Sequence, residues 1–261
     1  MTKLKSLALV LFVLVFLAGC GGGKRRGSRD AQSSHQLQSL IDLSVVAIQT
    51  GYYAQALQTL GEAERLAPNN PEVKHHIGRT YFHLNRLDDA VSYYERALAL
   101  DPGKTDIHNS LGVVYMARKE YEKARAEFQL CIDDLTYAES SMSKLNMGLL
   151  EESTGHPENA MAYYRDIIAA NAPTSPTAYY RLAHNSYANG DYRKAVDYLT
   201  PAVRLNPEFP EAFFLLGETF EKLNFPDEAA ENYGRCVVID PNSARGIEAQ
   251  KRVRAIMKDY Q

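Results

Sequence analysis

Long apolar runs, a surplus of charge of one sign and a rich supply of cysteine are all missing from this 261-residue chain. Three cysteines cannot build a disulfide framework. A formal charge of −3 and a pI near 6.2 argue against a general nucleic-acid binder. The N-terminal apolar run, residues 7–18, has twelve members. Crossing a bilayer as a helix takes roughly 20, so the run does not read as a membrane span. What is present, 45% apolar and 23% charged residues, is too apolar for a disordered chain. Length alone predicts one or two globular domains.

Lys3 and Lys5 precede the apolar run, and small residues close it, the pattern of a secretory signal peptide. Leu17-Ala18-Gly19-Cys20 resembles the lipobox of bacterial lipoproteins at all four positions. That resemblance implies cleavage after residue 19 and acylation of Cys20 on its thiol and its new amino group. Several acyl chains on one residue anchor stably, whereas a single chain binds marginally. Gly21 in place of Asp implies release to the outer membrane under the enteric sorting rule. Residues 1–19 are thus expected as the leader. Residues 20–36, rich in Gly, Ser, Gln and charge, are expected as a lipidated flexible tether.

The remainder repeats with a period of 34, in copies 37–70, 71–104, 105–138, 141–174, 176–209 and 210–243. Repeat position 20 is always alanine: Ala56, Ala90, Ala124, Ala160, Ala195 and Ala229. Two helices approach closely only where one offers a small side chain. Position 8 is small as well: Ser44, Gly78, Gly112, Gly148, Ala183 and Gly217. Position 7 is large and apolar from Leu43 to Leu216, and position 24 is Leu60, Tyr94, Phe128, Tyr164, Leu199 or Tyr233. Pro68, Pro102, Pro207 and Pro241 close four of the second helices, because proline cannot continue the helical ladder. This pattern resembles the tetratricopeptide repeat, a helix–turn–helix unit. It implies an all-α, right-handed superhelical solenoid of six repeats and about thirteen helices. Residues 244–261 carry Ile247, Val253, Ile256 and Met257 at roughly helical spacing and are expected as a capping helix over the last repeat. Residues 37–261 then form one continuous array.

No catalytic motif emerges. Cys131 and Cys236 share repeat position 27 with Ala63, Ala97 and Ala202, so they read as buried thiols three repeats apart rather than a disulfide. His75, His76, His83, His108 and His184 lack the i, i+4 spacing of a zinc pair and read as polar groove residues. Asp88-Asp89 and Asp133-Asp134 read as solvated or capping charge. The chain therefore reads as a non-enzyme with no cofactor, no metal and no small-molecule substrate.

Function is then expected on the surface. In this repeat class helix A positions 2, 5, 9 and 12 line the concave groove. Val113, Met116, Met142, Leu145, Leu149, Tyr180, His184, Tyr187 and Phe214 occupy such positions and form a largely apolar strip, the mark of a partner site. Leu145 and Leu149 serve either the groove or the core. Tyr180, Tyr187 and Phe214 point to the groove, since Leu182 and Leu216 already fill the core beside them. Residues 37–261 hold 23 Lys and Arg against 31 Asp and Glu, a balance of −8. An acidic array does not suit nucleic acid and suits an apolar protein segment with some basic character.

The third copy ends without its closing proline and gains Glu139 and Ser140, giving Asp134-Leu135-Thr136-Tyr137-Ala138-Glu139-Ser140-Ser141 before Asn146-Met147-Gly148-Leu149. Lipobox, six repeats and this Tyr-containing insertion together resemble the pilotin lipoproteins of type IV pilus systems, the PilF/PilW/Tgl family. Ala138 stands where that family would place proline. The resemblance implies an outer-membrane lipoprotein whose solenoid faces the periplasm. Its partner would be the type IV pilus secretin, and its task to promote secretin localisation and multimer assembly. Alternative roles are an adaptor for peptidoglycan enzymes, for β-barrel assembly or for polysaccharide export.

Overall fold

The computed structural model describes residues 22–170 and 175–259. The expected leader and the lipobox with Cys20 lie outside them. Among the described residues there are thirteen helices and no strand. They fall into two compact units, one ending at Arg118 and one beginning at Lys119.

The first unit holds α1 (Gly22–Gln49), α2 (Tyr53–Leu66), α3 (Pro71–His83), α4 (Leu87–Leu100) and α5 (Thr105–Ala117). The second holds α6 (Tyr121–Asp133), α7 (Ser140–Ser153), α8 (Pro157–Ala169), α9 (Pro176–Ala188), α10 (Tyr192–Leu205), α11 (Pro210–Lys222), α12 (Pro226–Ile239) and α13 (Ala244–Asp259). Within each unit every helix packs on the next, and first helices also touch first helices: α1 on α3, α3 on α5, α9 on α11. This is the stacked helix–turn–helix architecture expected from the period.

The repeat positions explain the packing. All six position-20 alanines and all six position-24 side chains are buried. Positions 8 and 24 compensate in volume. A Cβ added at Gly78 or Gly217 would stand 2.7 Å from the ring of Tyr94 or Tyr233, and one at Gly148 would strike Tyr164. Where position 8 carries a Cβ, at Ser44 and Ala183, position 24 shrinks to Leu60 and Leu199.

Position 7 packs against the preceding second helix. Ile77 lies against Leu60 and Ala63, Leu182 against Tyr164 and Ile167, and Leu216 against Leu199 and Ala202. Leu43 is the exception and corrects the expected pattern: it is 60% exposed. Among the described residues no second helix precedes the first copy, so none covers it.

Turns follow an equally local logic. Position 15 of every copy has positive φ: Gly51, Asn85, Lys119, Gly155, Gly190 and Asn224. Only a left-handed residue reverses the chain this tightly, and glycine or asparagine takes that conformation with least strain. Ala67, Asp101, Asn206 and Asp240 cap their helices with ψ between 75 and 94°. Each precedes one of the four closing prolines, whose ring forbids helical backbone at the residue before it. In the insertion, the Thr136 N–H and hydroxyl both donate to Asp134 Oδ1, at 2.9 and 2.6 Å. That turn replaces the missing proline as the punctuation.

Two expectations change. Residues 22–36, expected as a flexible tether, are helical and continue into α1. They contain no proline, and beyond Gly27 the Arg, Ala and Gln residues sustain a helix. The capping helix α13 covers the last repeat, but with only part of the expected stripe. Ala249, Val253 and Ile256 meet Phe213, Tyr233 and Cys236. Ile247 and Met257 are exposed: at 100° per residue Ile247 lies about 120–180° around the helix from that stripe, and Met257 lies at its edge in the last turn. Gly246 lets α13 approach, since a Cβ there would strike the Asp240 carbonyl.

Candidate partner-binding surface

The expected strip divides between the units. Val113 and Met116 lie half-buried on α5 in the first. The other seven residues lie in the second, on α7, α9 and α11.

Helix α9 carries Tyr180, His184 and Tyr187 at spacings of four and three, which puts them on one face. Ser175 caps its N-terminus by accepting the Ala178 N–H at 3.2 Å, ahead of Pro176. Tyr180 and Tyr187 are half-buried against the core cluster of Ala183, Leu199 and Leu216. Rings extend the surface: Tyr180 lies 5.2 Å from Phe209 and 6.2 Å from His184, and Tyr187 lies 5.4 Å from Tyr192. On α11, Phe214 meets Tyr233 edge-on at 5.4 Å. At the other end, Met142 and Leu145 join Ser175 and Thr177 around a cavity of about 200 Å³. Met142 is exposed there, whereas Leu145 also packs on the core with Met161 and Leu182. Leu149 is half-buried and His184 exposed. The aromatic residues thus share a half-buried setting with Leu145, with one side of each against the core and the other available.

Charge flanks the rings. Glu211 accepts from Arg245 at 2.8 Å, and Glu221 accepts from Arg252 at 3.0 Å and from the Tyr233 hydroxyl at 2.8 Å. Among the described residues Glu218 has no ion-pair partner within reach, and burial first, then neighbouring Glu221, raises its carboxyl above the usual range. Burial likewise raises the Tyr180 and Tyr187 hydroxyls, which stay protonated. The surface can therefore offer rings, hydroxyl donors and a carboxylate to a partner side chain.

The sequence reading missed Phe209 and the α13 residues Arg245 and Arg252. Phe209 lies in a connection, outside the helix A positions, and the arginines arrive only when α13 docks. It also missed a cavity of about 440 Å³ between Gly190–Lys194 and Leu223. The histidines separate: His184 is exposed, but His75 and His76 are buried, correcting their reading as polar groove residues. Among the described residues no group of three His, Cys, Asp or Glu side chains is arranged to hold a metal. Cys131 and Cys236 are both buried as thiols. No described helix is long and apolar enough to cross a membrane.

The tetratricopeptide repeat family model matches residues 41–105, 77–134 and 180–244, more than half of the chain. The chain belongs to the tetratricopeptide-repeat family. This tetratricopeptide array spans about a fifth of the length of the first curated relatives it matches, such as the CTR9 homolog of Arabidopsis thaliana, 25% identical over 81% of this chain and 20% of that one. It is 24% identical to the type IV pilus assembly protein PilF of Pseudomonas aeruginosa, over 73% of this chain and 76% of that one. Among solved structures, Pseudomonas aeruginosa PilF superposes with a TM-score of 0.72 at 21% identity, covering 84% of this chain and 99% of that one. PilW, described as a widely conserved type IV pilus biogenesis factor, gives 0.68 at 21% identity, covering 82% and 98%. These likenesses establish the fold.

Proposed function

We infer that the chain is a lipid-anchored tetratricopeptide protein that binds the type IV pilus secretin and promotes its placement and multimer assembly at the outer membrane. The observation carrying this reading is the aromatic surface of Tyr180, Tyr187, Phe209 and Phe214, half-buried and flanked by Glu218. It supports recognition of an apolar segment with a basic residue, with no covalent step. The likeness to PilF adds support of a different kind: it covers about three quarters of both chains, whereas longer relatives share only a part.

A secretin subunit exposes apolar segments before its multimer closes in the bilayer. A surface held at the membrane by Cys20 raises the effective concentration at which such a segment is met. The test is to replace Cys20, and separately Tyr180 together with Phe214, and to assay heat-resistant secretin multimers and surface pili. Loss of multimers in both variants is expected. Normal multimers and pili in both would refute the reading. Co-purification with peptidoglycan hydrolases, barrel-assembly subunits or a polysaccharide exporter in place of secretin would favour an adaptor role.

A further inference from the structure

The last repeat and the helix that closes it carry charge of opposite sign. Residues 210–243 hold seven Asp and Glu against two Lys and Arg, a balance of −5. Residues 244–259 hold five Lys and Arg against two Asp and Glu, a balance of +3. The basic residues of α13 divide by face. Arg245 and Arg252 turn toward the array, where they meet Glu211 at 2.8 Å and Glu221 at 3.0 Å. Lys251, Arg254 and Lys258 lie elsewhere. At 100° per residue they fall within about 40° of Ile247, on the side away from the stripe of Ala249, Val253 and Ile256.

All three cations are exposed, and so are Ile247 at 47% and Met257 at 62%. Lys251 makes one loose contact, with Glu248 at 3.5 Å. Among the described residues Arg254 and Lys258 have no ion-pair partner. By register Glu248 and Asp259 lie about 100° and 120° from Ile247, off the basic stripe. Glu248 is also engaged by Arg252 at 3.2 Å. The outer face of α13 is therefore basic and partly apolar, on a helix whose inner face is already packed.

Basic side chains beside exposed apolar ones are what a helix resting on an anionic bilayer presents to it. We propose that the outer face of α13 docks on a membrane surface bearing anionic phospholipid. Lys251, Arg254 and Lys258 meet the headgroups, and Ile247 and Met257 meet the boundary with the acyl chains. Residues 244–259 contribute no aromatic side chain, the usual anchor of a protein interface. A single convex helix also suits a plane of mobile headgroups, which needs no matching register. The acidity of the array does not oppose this contact. Charges are screened over about 8 Å at physiological salt. A helix with its side chains is about 10–12 Å across, so the carboxylates that α13 covers stand farther than that from a surface on its outer face. The proposal rests on neither the secretin reading nor Cys20, because it uses no residue of the aromatic surface or the lipobox.

The test uses the full chain with Cys20→Ser, so that no acyl chain contributes. An environment-sensitive fluorophore is attached at exposed Gln250→Cys, the thiols of Cys131 and Cys236 being buried. The fluorophore reports contact at α13 itself, so binding through any other segment does not register. Vesicles are phosphatidylcholine alone or mixed with phosphatidylglycerol. Each Lys or Arg near an anionic surface strengthens binding about fivefold, so the three together give a preference for mixed vesicles on the order of a hundredfold. A blue shift and quenching by brominated lipid are expected with that preference. Lys251→Gln/Arg254→Gln/Lys258→Gln is expected to abolish it with an unchanged helical circular dichroism spectrum. Arg254→Gln/Lys258→Gln keeps the Lys251–Glu248 contact, serves if the triple variant does not fold, and is expected to leave about a fivefold preference. Arg193→Gln/Lys194→Gln, at exposed positions of α10, is expected to leave the preference unchanged. A preference that is absent, or that survives the triple substitution, would overturn the proposal. So would a fluorophore that responds to polyglutamate, or to rising protein concentration, and not to mixed vesicles; these outcomes would assign the face to an acidic polypeptide or to a second copy of the chain.

Discussion

Gly217 and Tyr233 show how one missing methyl group sets the distance between two helices. Alanine at position 217 would gain about 1 kcal/mol of helix propensity. It would also place a Cβ 2.7 Å from a ring packed on every side, an overpacking that costs about 1–3 kcal/mol. The clash outweighs the gain, so Gly217→Ala is expected to lower stability by about 1 kcal/mol in urea unfolding. Adding Tyr233→Leu recreates the Ala183–Leu199 pairing of the preceding copy and is expected to relieve the clash. Additive effects of the two changes would contradict the pairing. Lys119 offers the reverse test. Its φ of 62° is occupied by glycine or asparagine in the other copies. A left-handed non-glycine residue costs about 1–2 kcal/mol, and glycine's extra unfolded-state freedom costs about 0.5–1. Lys119→Gly is therefore expected to raise the urea midpoint, corresponding to about 0.5–1 kcal/mol. Positions 8, 20 and 24 were legible in the sequence because the same steric problem is solved six times. Buried His75 and His76 were not, because their setting comes from Ser110 and Asp106, which lie on another helix.

At the scale of the element, the two ends of the array obey different rules from its middle. Among the described residues the first copy has no second helix before it, so Leu43 remains exposed although its repeat position is apolar. The last copy is closed by α13, whose contact stripe of Ala249, Val253 and Ile256 covers Cys236. A single copy of α13 exists, so its face had to be read from spacing alone; Val253 and Ile256 make the contact, and Ile247 and Met257 do not. Gly246→Ala drives a Cβ into the Asp240 carbonyl and is expected to lift α13 from its seat. The measurement is the reaction of Cys236 with a thiol reagent in the native protein, followed in a Cys131→Ala background. Burial makes Cys236 inaccessible and raises its thiol pKa, so at least a tenfold faster reaction is expected in the variant. An unchanged rate would show that α13 does not depend on Gly246. The insertion between α6 and α7 was legible as a break in period. That its Asp134 side chain would do the work of a proline was not, because it depends on a side chain folding back on Thr136.

For the whole molecule, acid stability follows from the two buried imidazoles of the first unit. Their pKa values fall from 6.5 to about 4 on folding. Between those values the unfolded chain binds protons that the folded chain does not. Their contribution is therefore complete above pH 6.5 and is lost as pH falls toward 4, on the order of a few kcal/mol in total. The groups facing them are Glu72, Arg79, Lys104 and Asp106, with Tyr94 and Ser110 behind. The urea midpoint is expected to fall between pH 7.5 and 5, and less steeply in His75→Gln/His76→Gln; identical slopes would contradict this. The array architecture was legible from the period, and so were the helices that carry the strip. How far each strip residue sinks into the core was not, since Leu145 and Tyr180 occupy equivalent positions and each packs on neighbours that only stacking supplies. The central claim, that the aromatic surface of the second unit receives the secretin, is tested most directly by site-specific photocrosslinking in cells. A photoreactive residue replaces Phe214 in one strain and Val238 in another. Val238 lies on a second helix and is 75% exposed. Crosslinks to secretin from position 214 and none from 238 are predicted. Crosslinks from 238 alone, or from neither position, would contradict the account.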